Sequence, residues 1–306
     1  MSLGPIKSIS RSQLVTDGDG VQINRVFGHG TTTETDPFLL LDHLINDDPL
    51  KPMNGFPWHP HRGIETITYN IQGGIQHEDS LGNKGVLRDG DVQWMTAGSG
   101  IIHQEMPYHG SGPLFHGFQL WANLPAEKKM MDPRYQDIPS GEIPEVIDDD
   151  GTKVKIITGT FRGKTGPVTG IVTDPKYIDI TVPPHREKTL KINLDHHSFA
   201  YLFEGSGLFY GASSPIPAPT EYVTAKGVTE VVSANPVENR NLIIFDRGDE
   251  IKLKSGPEGM RFLLISGRPL KEPVAWHGPI VMNSRDELIT AFQEYENGTF
   301  LKNHIQ

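Results

Sequence analysis

The stretch Arg88-Asp89-Gly90-Asp91, with Gly98 eight positions after its glycine, recurs as Asp246-Arg247-Gly248-Asp249 with Gly256 at the same interval. A turn that recurs at a fixed distance from a second glycine indicates a duplicated structural unit. A Pro-His pair, a tyrosine and a glycine precede each copy in the same order, which predicts two copies of one fold in a chain of 306 residues. These residues are Pro60-His61, Tyr69 and Gly73 in the first half, and Pro184-His185, Tyr201 and Gly205 in the second.

The copies are expected to be built of β-strands. The 33 glycines and 24 prolines are spread along the chain, as expected for many turns between short strands. Only the C-terminus has a helical signature, because Ser284-Arg285-Asp286-Glu287 is a capping box followed by apolar residues at helical spacing. The segments with the period-two alternation of half-buried strands are residues 64–71, 115–121, 153–158, 177–182, 199–203 and 262–265.

Composition narrows the kind of protein and of site. The net charge of −10 argues against binding to nucleic-acid phosphates, and no stretch reaches the roughly 20 apolar residues of a membrane-spanning helix. The chain has no cysteine, so disulfides and thiolate metal sites are excluded, and a transition metal would be held by histidines and carboxylates. No secretion signal is visible, so we expect a cytoplasmic protein, or a nuclear one in a eukaryote.

Two pairs of candidate metal ligands lie about forty residues apart, His59-Pro60-His61 and His103-Gln104-Glu105. Residues at i and i+2 on a strand face the same side of a sheet, and neighbouring strands lie about 4.8 Å apart. Two such pairs that face into a barrel can therefore converge on one ion. Three imidazoles and one carboxylate suit Fe, Mn, Cu, Ni or Zn and leave two positions of an octahedral metal open for substrate or O₂.

The carboxylate ligand has a second candidate. Glu65 lies four residues after His61, so an unbroken strand would turn it toward the same site. It would serve there as a ligand in place of Glu105, or as a partner that orients a histidine. The spacing leaves both alternatives open.

The second half lacks this ligand set. His185 matches His61 but is interpreted as a structural or exposed residue, since no other ligand position is matched. We therefore expect a single metal site, in the first half. The residues opposite the ligands are Pro183 for His59, and either Arg261 and Leu263 or Phe262 and Leu264 for His103 and Glu105.

Three further polar residues lie near the ligand motifs. His116 and Gln119, on the strand after the second pair, are candidates to line a pocket or to support the ligands. His77, next to Glu78 and Asp79, is interpreted as part of a polar turn.

Two long motifs resemble the signature of the pirin family. They are FPWHPHRGIET at residues 56–66 and GDVQWMTAGSGIIHQE at residues 90–105. The strand HGFQLWANL at residues 116–124 and the ending GPIVMN at residues 278–283 fit the same family. One departure is Trp58, where a smaller or polar residue is expected; beside the first ligand, it would narrow the entrance to the site.

The resemblance implies an all-β chain of two cupin (double-stranded β-helix or jelly-roll) barrels with a short C-terminal helix. From the segment 126–150, rich in Pro, Lys, Asp and Glu and interpreted as a connection, we place a metal-binding barrel at residues 1–140. A metal-free barrel with the helix would occupy residues 141–306. The resemblance further implies one Fe(II), or another divalent transition metal, in the first barrel. Its implied ligands are His59, His61, His103 and Glu105, which favours Glu105 over Glu65.

The resemblance also implies a function, quercetin 2,3-dioxygenase activity on a small flavonol-like substrate with O₂ and release of carbon monoxide. Glu105 would then be the catalytic base that takes the proton of the substrate's 3-hydroxyl. The alternative is a non-enzymatic, iron-dependent regulator whose redox state controls contact with a partner protein, of the transcriptional co-regulator type. Neither function involves direct nucleic-acid binding or a membrane.

Overall fold

The computed structural model describes residues 2–51, 53–211, 220–223, 229–232 and 236–302. Within these ranges the helices are α1 (Thr32–Thr35) and α2 (Arg285–Glu296). Short 3₁₀ turns lie at His109–Ser111, Ala126–Lys128 and Ser140–Glu142. In chain order the strands are β1 (Ile6–Arg11), β2 (Gln13–Asp17), β3 (Val21–Phe27), β4 (Phe38–Asn46), β5 (Phe56–His61), β6 (Ile64–Gln72), β7 (Ile75–Asp79), β8 (Lys84–Leu87), β9 (Val92–Thr96), β10 (Ile101–Pro107), β11 (Phe115–Asn123), β12 (Arg134–Ile138), β13 (Glu145–Ile147), β14 (Lys153–Thr158), β15 (Thr160–Phe161), β16 (Lys164–Thr165), β17 (Lys176–Val182), β18 (Glu187–Lys191), β19 (His197–Tyr210), β20 (Thr220–Val223), β21 (Thr229–Val232), β22 (Val237–Glu238), β23 (Asn241–Phe245), β24 (Glu250–Gly267), β25 (Ala275–His277) and β26 (Ile280–Met282).

The all-β expectation is confirmed, and each alternating segment lies in a strand: β6, β11, β14, β17, β19 and β24. The predicted helix is also present. The Ser284 side chain accepts a hydrogen bond from the Glu287 backbone N–H, and the Glu287 carboxylate accepts one from the Ser284 N–H. This reciprocal pair starts α2 because it satisfies two backbone donors that have no partner inside the helix.

Two compact units divide the chain, and each draws on separate segments. The N-terminal unit consists of Ser12–Pro144, Ile156–Pro175 and the chain from Gly267 onward. The C-terminal unit consists of the chain up to Arg11, Glu145–Lys155 and Lys176–Ser266. A single cut after residue 140 therefore does not describe which segments pack together: the first strand belongs to the C-terminal unit, and α2 belongs to the N-terminal one.

The N-terminal unit has two main antiparallel sheets, with His59, His61, His103 and Glu105 on the smaller one, and two further two-stranded sheets, β15–β16 and β25–β26. The larger sheet has the order β12-β9-β6-β11-β4-β3-β2, and the smaller one has the order β5-β10-β7-β8. In one core cluster, Leu39, Ile64 and Met95 of the larger sheet and Ile101 of the smaller one are buried together with Val281 of β26. Burial of this apolar surface is the main term that holds the sheets face to face.

The segment interpreted as a connection, residues 126–150, contributes strands to both units. β12 pairs with β9 at the edge of the larger sheet of the N-terminal unit, and β13 pairs with β14 in the C-terminal unit. The composition of the segment reflects edge strands and turns. Edge strands are commonly rich in charged residues and proline, which discourage pairing with another chain.

The C-terminal unit has a nine-stranded sheet, ordered β1-β23-β19-β24-β17-β14-β13, with β18 on β24 and β22 on β19, and the two-stranded sheet β20–β21. Arg261, one of the residues opposite His103 in the duplication, forms a two-pronged ion pair with Asp179 at 3.0 and 2.7 Å. It also reaches Glu204 at 3.1 Å. His185 is exposed, as expected. No helix within the described ranges is long and apolar enough to cross a membrane.

Candidate metal centre

Antiparallel pairing of β5 with β10 brings the two ligand motifs together. His103 lies directly opposite His59, and Ile101 lies opposite His61. Because His59 and His61 alternate around Pro60, both imidazoles lie on the face of β5 that His103 occupies on β10. The period-two spacing in the sequence therefore predicted this convergence.

The three histidines form a cluster that can hold a metal ion. One ring nitrogen of each of His59, His61 and His103 lies within 4.8 Å of the others, and the described residues contain no other such group of three. The Nε2 atoms of His59 and His61 are 3.1 Å apart. Two nitrogens bound at about 2.1 Å to one ion and at a right angle would be about 3.0 Å apart.

Hydrogen bonds fix which nitrogen of each ring carries the proton. His59 Nδ1 lies 2.8 Å from the Pro57 carbonyl oxygen, and His61 Nδ1 lies 3.0 Å from that of Pro279. Each Nδ1–H therefore donates to a carbonyl, and the Nε2 of each neutral ring keeps a lone pair. Two lone pairs that face each other at 3.1 Å repel, so this arrangement favours a cation bound between them.

Burial keeps the two inner histidines neutral. It lowers the pKa of His61 and of His103 well below the usual value for histidine, and the neighbouring His59 lowers both further. His103 Nε2 is buried and has no hydrogen-bond partner within the described chain. A buried polar atom without a partner costs free energy, and binding of a metal ion to His103 Nε2 would remove this cost.

A further histidine, His77, lies next to His103 on the side of β7. The prediction that His77 belongs to a polar turn was wrong. His77 lies on β7, fully buried, rather than in a polar turn. Its Nδ1 accepts a hydrogen bond from Gln93 at 2.9 Å, so its Nε2 carries the proton toward Asp79, 3.2 Å away. His103 Nδ1 lies 3.5 Å from His77 Nδ1. The signal in the sequence was the i, i+2 spacing of His77 and Asp79, the same spacing as in the ligand pairs.

The two candidate carboxylates lie in different surroundings. Glu105 is buried, lines the cavity described below, and accepts a hydrogen bond from the Thr68 hydroxyl at 3.0 Å. It lies outside the three-histidine cluster, and the β5–β10 register shifts between His103 and Glu105. Glu65 is fully buried, accepts a hydrogen bond from Thr96 at 2.7 Å, and does not line the cavity. Burial raises its pKa above the usual value.

A cavity of about 490 Å³ opens beside His59 and His61. This volume is typical of sites for small organic ligands. Gln119 lines it, whereas the other supporting candidate, His116, does not and instead lies 2.8 Å from His43 through its Nε2. Trp58 also lines the cavity and is 48% exposed. The aromatic residues of the wall are Phe56, Trp58, Phe115, Phe118, Trp121 and Trp276.

The C-terminal segment of the chain holds the metal end of the cavity in place. The Pro279 carbonyl accepts a hydrogen bond from His61 Nδ1–H, and an added Cβ at Gly63 would overlap the Val281 carbonyl oxygen. Gly63 has φ +78°, a conformation that glycine adopts without strain. The buried Lys129 ammonium ties this junction together, because it donates to the carbonyls of Gly63 (2.9 Å) and Val281 (3.1 Å) and to the Asn123 side chain (2.6 Å).

Arg62, between the ligand His61 and Gly63, is anchored to the same C-terminal segment. Its Nε donates to the Ser99 carbonyl, its Nη1 to the Glu294 carboxylate on α2, and its Nη2 to the Phe300 carbonyl, each at 2.7 Å. Arg62 is 2% exposed, so these bonds satisfy a buried charge.

The donor set fits a transition metal. Three imidazoles near one buried carboxylate suit Fe, Mn, Co, Ni, Cu or Zn rather than Ca or Mg. The second layer of carbonyl and histidine partners is the kind that fixes ring orientation in metal proteins.

Comparison with known proteins agrees with this geometry. Residues 20–122 match the family model described as Pirin, and residues 177–301 match that of the Pirin C-terminal cupin domain. A pirin-like protein of Caulobacter vibrioides is 36% identical over 301 residues, which cover 98% of this chain and 100% of the relative.

Solved structures give the same result. The structure of quercetin 2,3-dioxygenase from Acinetobacter baumannii has a TM-score of 0.82 and 29% identity, covering 98% of this chain and 99% of that one. A bacterial pirin from Escherichia coli in complex with nickel(II) has a TM-score of 0.59 and 16% identity, covering 86% and 100%, and shows the fold alone. The family models span most of the chain, which therefore belongs to the pirin family, with two cupin domains.

Proposed function

We propose that this protein is an iron-dependent dioxygenase of pirin type that opens the central ring of a flavonol such as quercetin. One O₂ is consumed, both of its atoms enter the ring-opened ester, and carbon 3 leaves as carbon monoxide. The observation that carries the proposal is the cluster of three histidines, two of which (His59 and His61) line an aromatic-walled cavity of about 490 Å³ together with the buried carboxylate of Glu105.

Ligation is proposed for His59, His61, His103 and Glu105. When bound, an Fe(II) ion supplies Lewis acidity toward the substrate's 3-hydroxyl and a redox partner for O₂. The protein supplies the rest. Glu105 accepts the 3-hydroxyl proton, and the Thr68 hydroxyl holds the carboxylate in place for that transfer.

The cavity wall supports a flat aromatic substrate. Aromatic side chains such as Trp121 and Phe118 offer ring faces for stacking and exclude water from the reacting atoms. His61 lies edge-on to Trp121, with ring centroids 5.0 Å apart. A substrate that stacks on Trp121 would therefore lie next to the three histidines. The relative named quercetin 2,3-dioxygenase, which aligns over nearly the whole chain, supports the same chemistry.

The test is anaerobic loading with Fe(II), followed by admission of O₂ and quercetin. Loss of the visible absorbance band of quercetin and release of carbon monoxide are measured together, with the double variant His59→Ala/His61→Ala in parallel. Turnover with carbon monoxide that the double variant loses is the expected result. Stoichiometric iron with intact quercetin would overturn the enzyme assignment, and the iron-dependent regulator would become the leading function.

A further inference from the structure

A row of polar side chains crosses the larger sheet of the N-terminal unit at one register. Arg25 lies directly opposite Asp42, Asp42 opposite Gln119, Gln119 opposite Thr68, and Thr68 opposite Gln93. Residues directly opposite on neighbouring strands point to the same face of a sheet. The five side chains therefore form one line across five strands, which we call the polar row.

The rows on either side are largely apolar. Leu40 and Trp121 flank the polar row on one side, and Ile23 and Leu44 flank it on the other, all of them lining the cavity. Polar groups within an apolar surface cost free energy unless they are hydrogen-bonded. The polar row therefore adds little to the packing of the sheet, and its side chains are better explained by a role in binding.

Four members of the polar row line the cavity: Arg25, Asp42, Gln119 and Thr68. At the metal end, the Thr68 hydroxyl lies 3.0 Å from Glu105 Oε1 and 2.6 Å from the Gln119 side-chain amide. A hydroxyl has one proton, so Thr68 donates to one of these two acceptor oxygens at a time, Glu105 Oε1 or Gln119 Oε1, and links the carboxylate to the amide.

At the far end, one guanidinium serves two carboxylates. Arg25 donates from Nε and Nη2 to the two oxygens of Asp42, both at 2.9 Å, and from Nη2 to Asp17 at 2.9 Å. Within the described chain the hydrogen bonds of Arg25 come from Nε and Nη2, and Nη1 makes none. One positive and two negative charges leave this end with a net charge of −1 and with a free donor.

The distance between the two ends of the polar row sets the length of ligand that can reach both. β6, which carries Thr68, and β3, which carries Arg25, are three strand steps apart, roughly 14 Å. An elongated ligand of two or three fused or linked rings spans that distance, and a single ring does not.

We infer that the polar row determines which flavonols bind: Thr68 and Gln119 receive the metal-binding end, and Arg25 with Asp17 receives hydroxyl groups of an outer ring. The free Nη1 donor and the surrounding carboxylate oxygens pair with neutral hydroxyls, which both donate and accept. The net negative charge repels a ligand that carries a carboxylate at the same place. This inference rests on the proposed function, and the selected feature is a neutral hydroxyl group on an outer ring of the flavonol.

The test compares ligands that share the metal-binding 3-hydroxyl. Quercetin carries hydroxyls on both outer rings, 3-hydroxyflavone carries none there, and a third probe is 3-hydroxyflavone with a carboxylate on its pendant ring. Binding to anaerobic Fe(II)-loaded protein is followed by tryptophan fluorescence, because Trp58, Trp121 and Trp276 line the cavity. The wild type is expected to bind quercetin at least about tenfold more tightly than 3-hydroxyflavone.

Two variants locate the preference in the polar row. Arg25→Lys keeps the charge but loses the Nη1 donor, and is expected to bring the two affinities close to equal. Asp17→Asn is expected to strengthen binding of the carboxylate probe by about threefold and to leave 3-hydroxyflavone unchanged. Asp19→Asn is the matched control, because Asp19 is exposed on the same turn and does not line the cavity.

The outcomes separate the inference from the proposed function. If wild-type protein binds quercetin and 3-hydroxyflavone equally, or if Arg25→Lys keeps the wild-type ratio, the inference is overturned and the proposed function stands. An Asp17→Asn variant that behaves like Asp19→Asn overturns the role of Asp17. If the iron-loaded protein binds neither flavonol, the proposed function falls and the inference falls with it.

Discussion

Glu105 and Glu65 are both buried carboxylates, and they lie in different surroundings. Glu105 lines the cavity on the strand that carries His103, whereas Glu65 is held by Thr96 away from it. We expect Glu105→Gln to lower metal affinity by about tenfold or more and to abolish quercetin turnover, because the amide is a poorer ligand and no base. Isothermal titration with Fe(II) or Ni(II) measures the first effect.

Glu65→Gln is the matched control, since it keeps the shape and the bond to Thr96. Burial raises the pKa of Glu65, so ionisation of this group opposes folding. The amide variant is therefore expected to be at least as stable as wild type at pH 7 and to bind metal normally. A larger loss of metal affinity in Glu65→Gln than in Glu105→Gln would reverse the ligand assignment.

Lys129 is expected to make the free energy of unfolding depend on pH in the alkaline range. Burial lowers its pKa from 10.5 to about 8, so between these pH values the unfolded chain binds more protons than the native one. The contribution of Lys129 to the free energy of unfolding should thus rise from pH 8 to pH 10.5, by at most about 3 kcal/mol.

Denaturant unfolding of wild type and Lys129→Met over this pH range measures the effect as a difference between the two proteins. The variant is expected to be less stable throughout, because it leaves the carbonyls of Gly63 and Val281 without their buried donor. A difference that stays constant from pH 8 to pH 10.5 would contradict the prediction.

At the scale of elements, α2 and the residues around it form part of the metal centre. The Pro279 carbonyl orients His61, and Arg62 is fixed by Glu294 and Phe300. We expect Arg62→Lys to weaken metal binding by about tenfold, within the range usual for residues that orient ligands. The measurement is metal titration, together with the visible spectrum of the Co(II) protein, which reports ligand geometry.

Ser284→Ala separates this effect from loss of the helix. It removes the N-terminal cap of α2, at a cost of about 1 kcal/mol, and leaves the contacts of Arg62 intact. Metal affinity and the Co(II) spectrum should stay at the wild-type values. Equal weakening in both variants would show that helix stability, and not the anchoring of Arg62, controls the site.

Local patterns predicted the elements of the site well, and contacts between distant segments escaped them. The i, i+2 spacing of His59 and His61 predicted inward-facing ligands because strand geometry is local. The polar row from Arg25 to Thr68 depends on the pairing register of four strands, which the sequence does not encode in any one stretch. The anchoring of Arg62 by Phe300 has the same origin, since it joins residues 238 positions apart.

At the scale of the whole molecule, the duplication has kept the fold in both copies and the ligand cluster in one. In the C-terminal unit, Arg261, one of the two residues that the sequence aligns with His103, forms an ion pair with Asp179. An arginine cannot act as a metal ligand, because it stays protonated and offers no lone pair. The described residues of the second copy hold no metal-binding group of three.

This asymmetry predicts one metal per chain and a specific effect on stability. A ligand that binds only the native state stabilises it by about 2.7 kcal/mol when its free concentration is 100 times its Kd. Saturating Ni(II) should raise the Tm of wild type and of Arg261→Gln alike, and should leave His59→Ala/His61→Ala unchanged. Metal analysis after gel filtration should give one equivalent for the first two proteins and none for the third. Two equivalents in wild type, or a loss of metal in Arg261→Gln, would place a second site in the C-terminal unit.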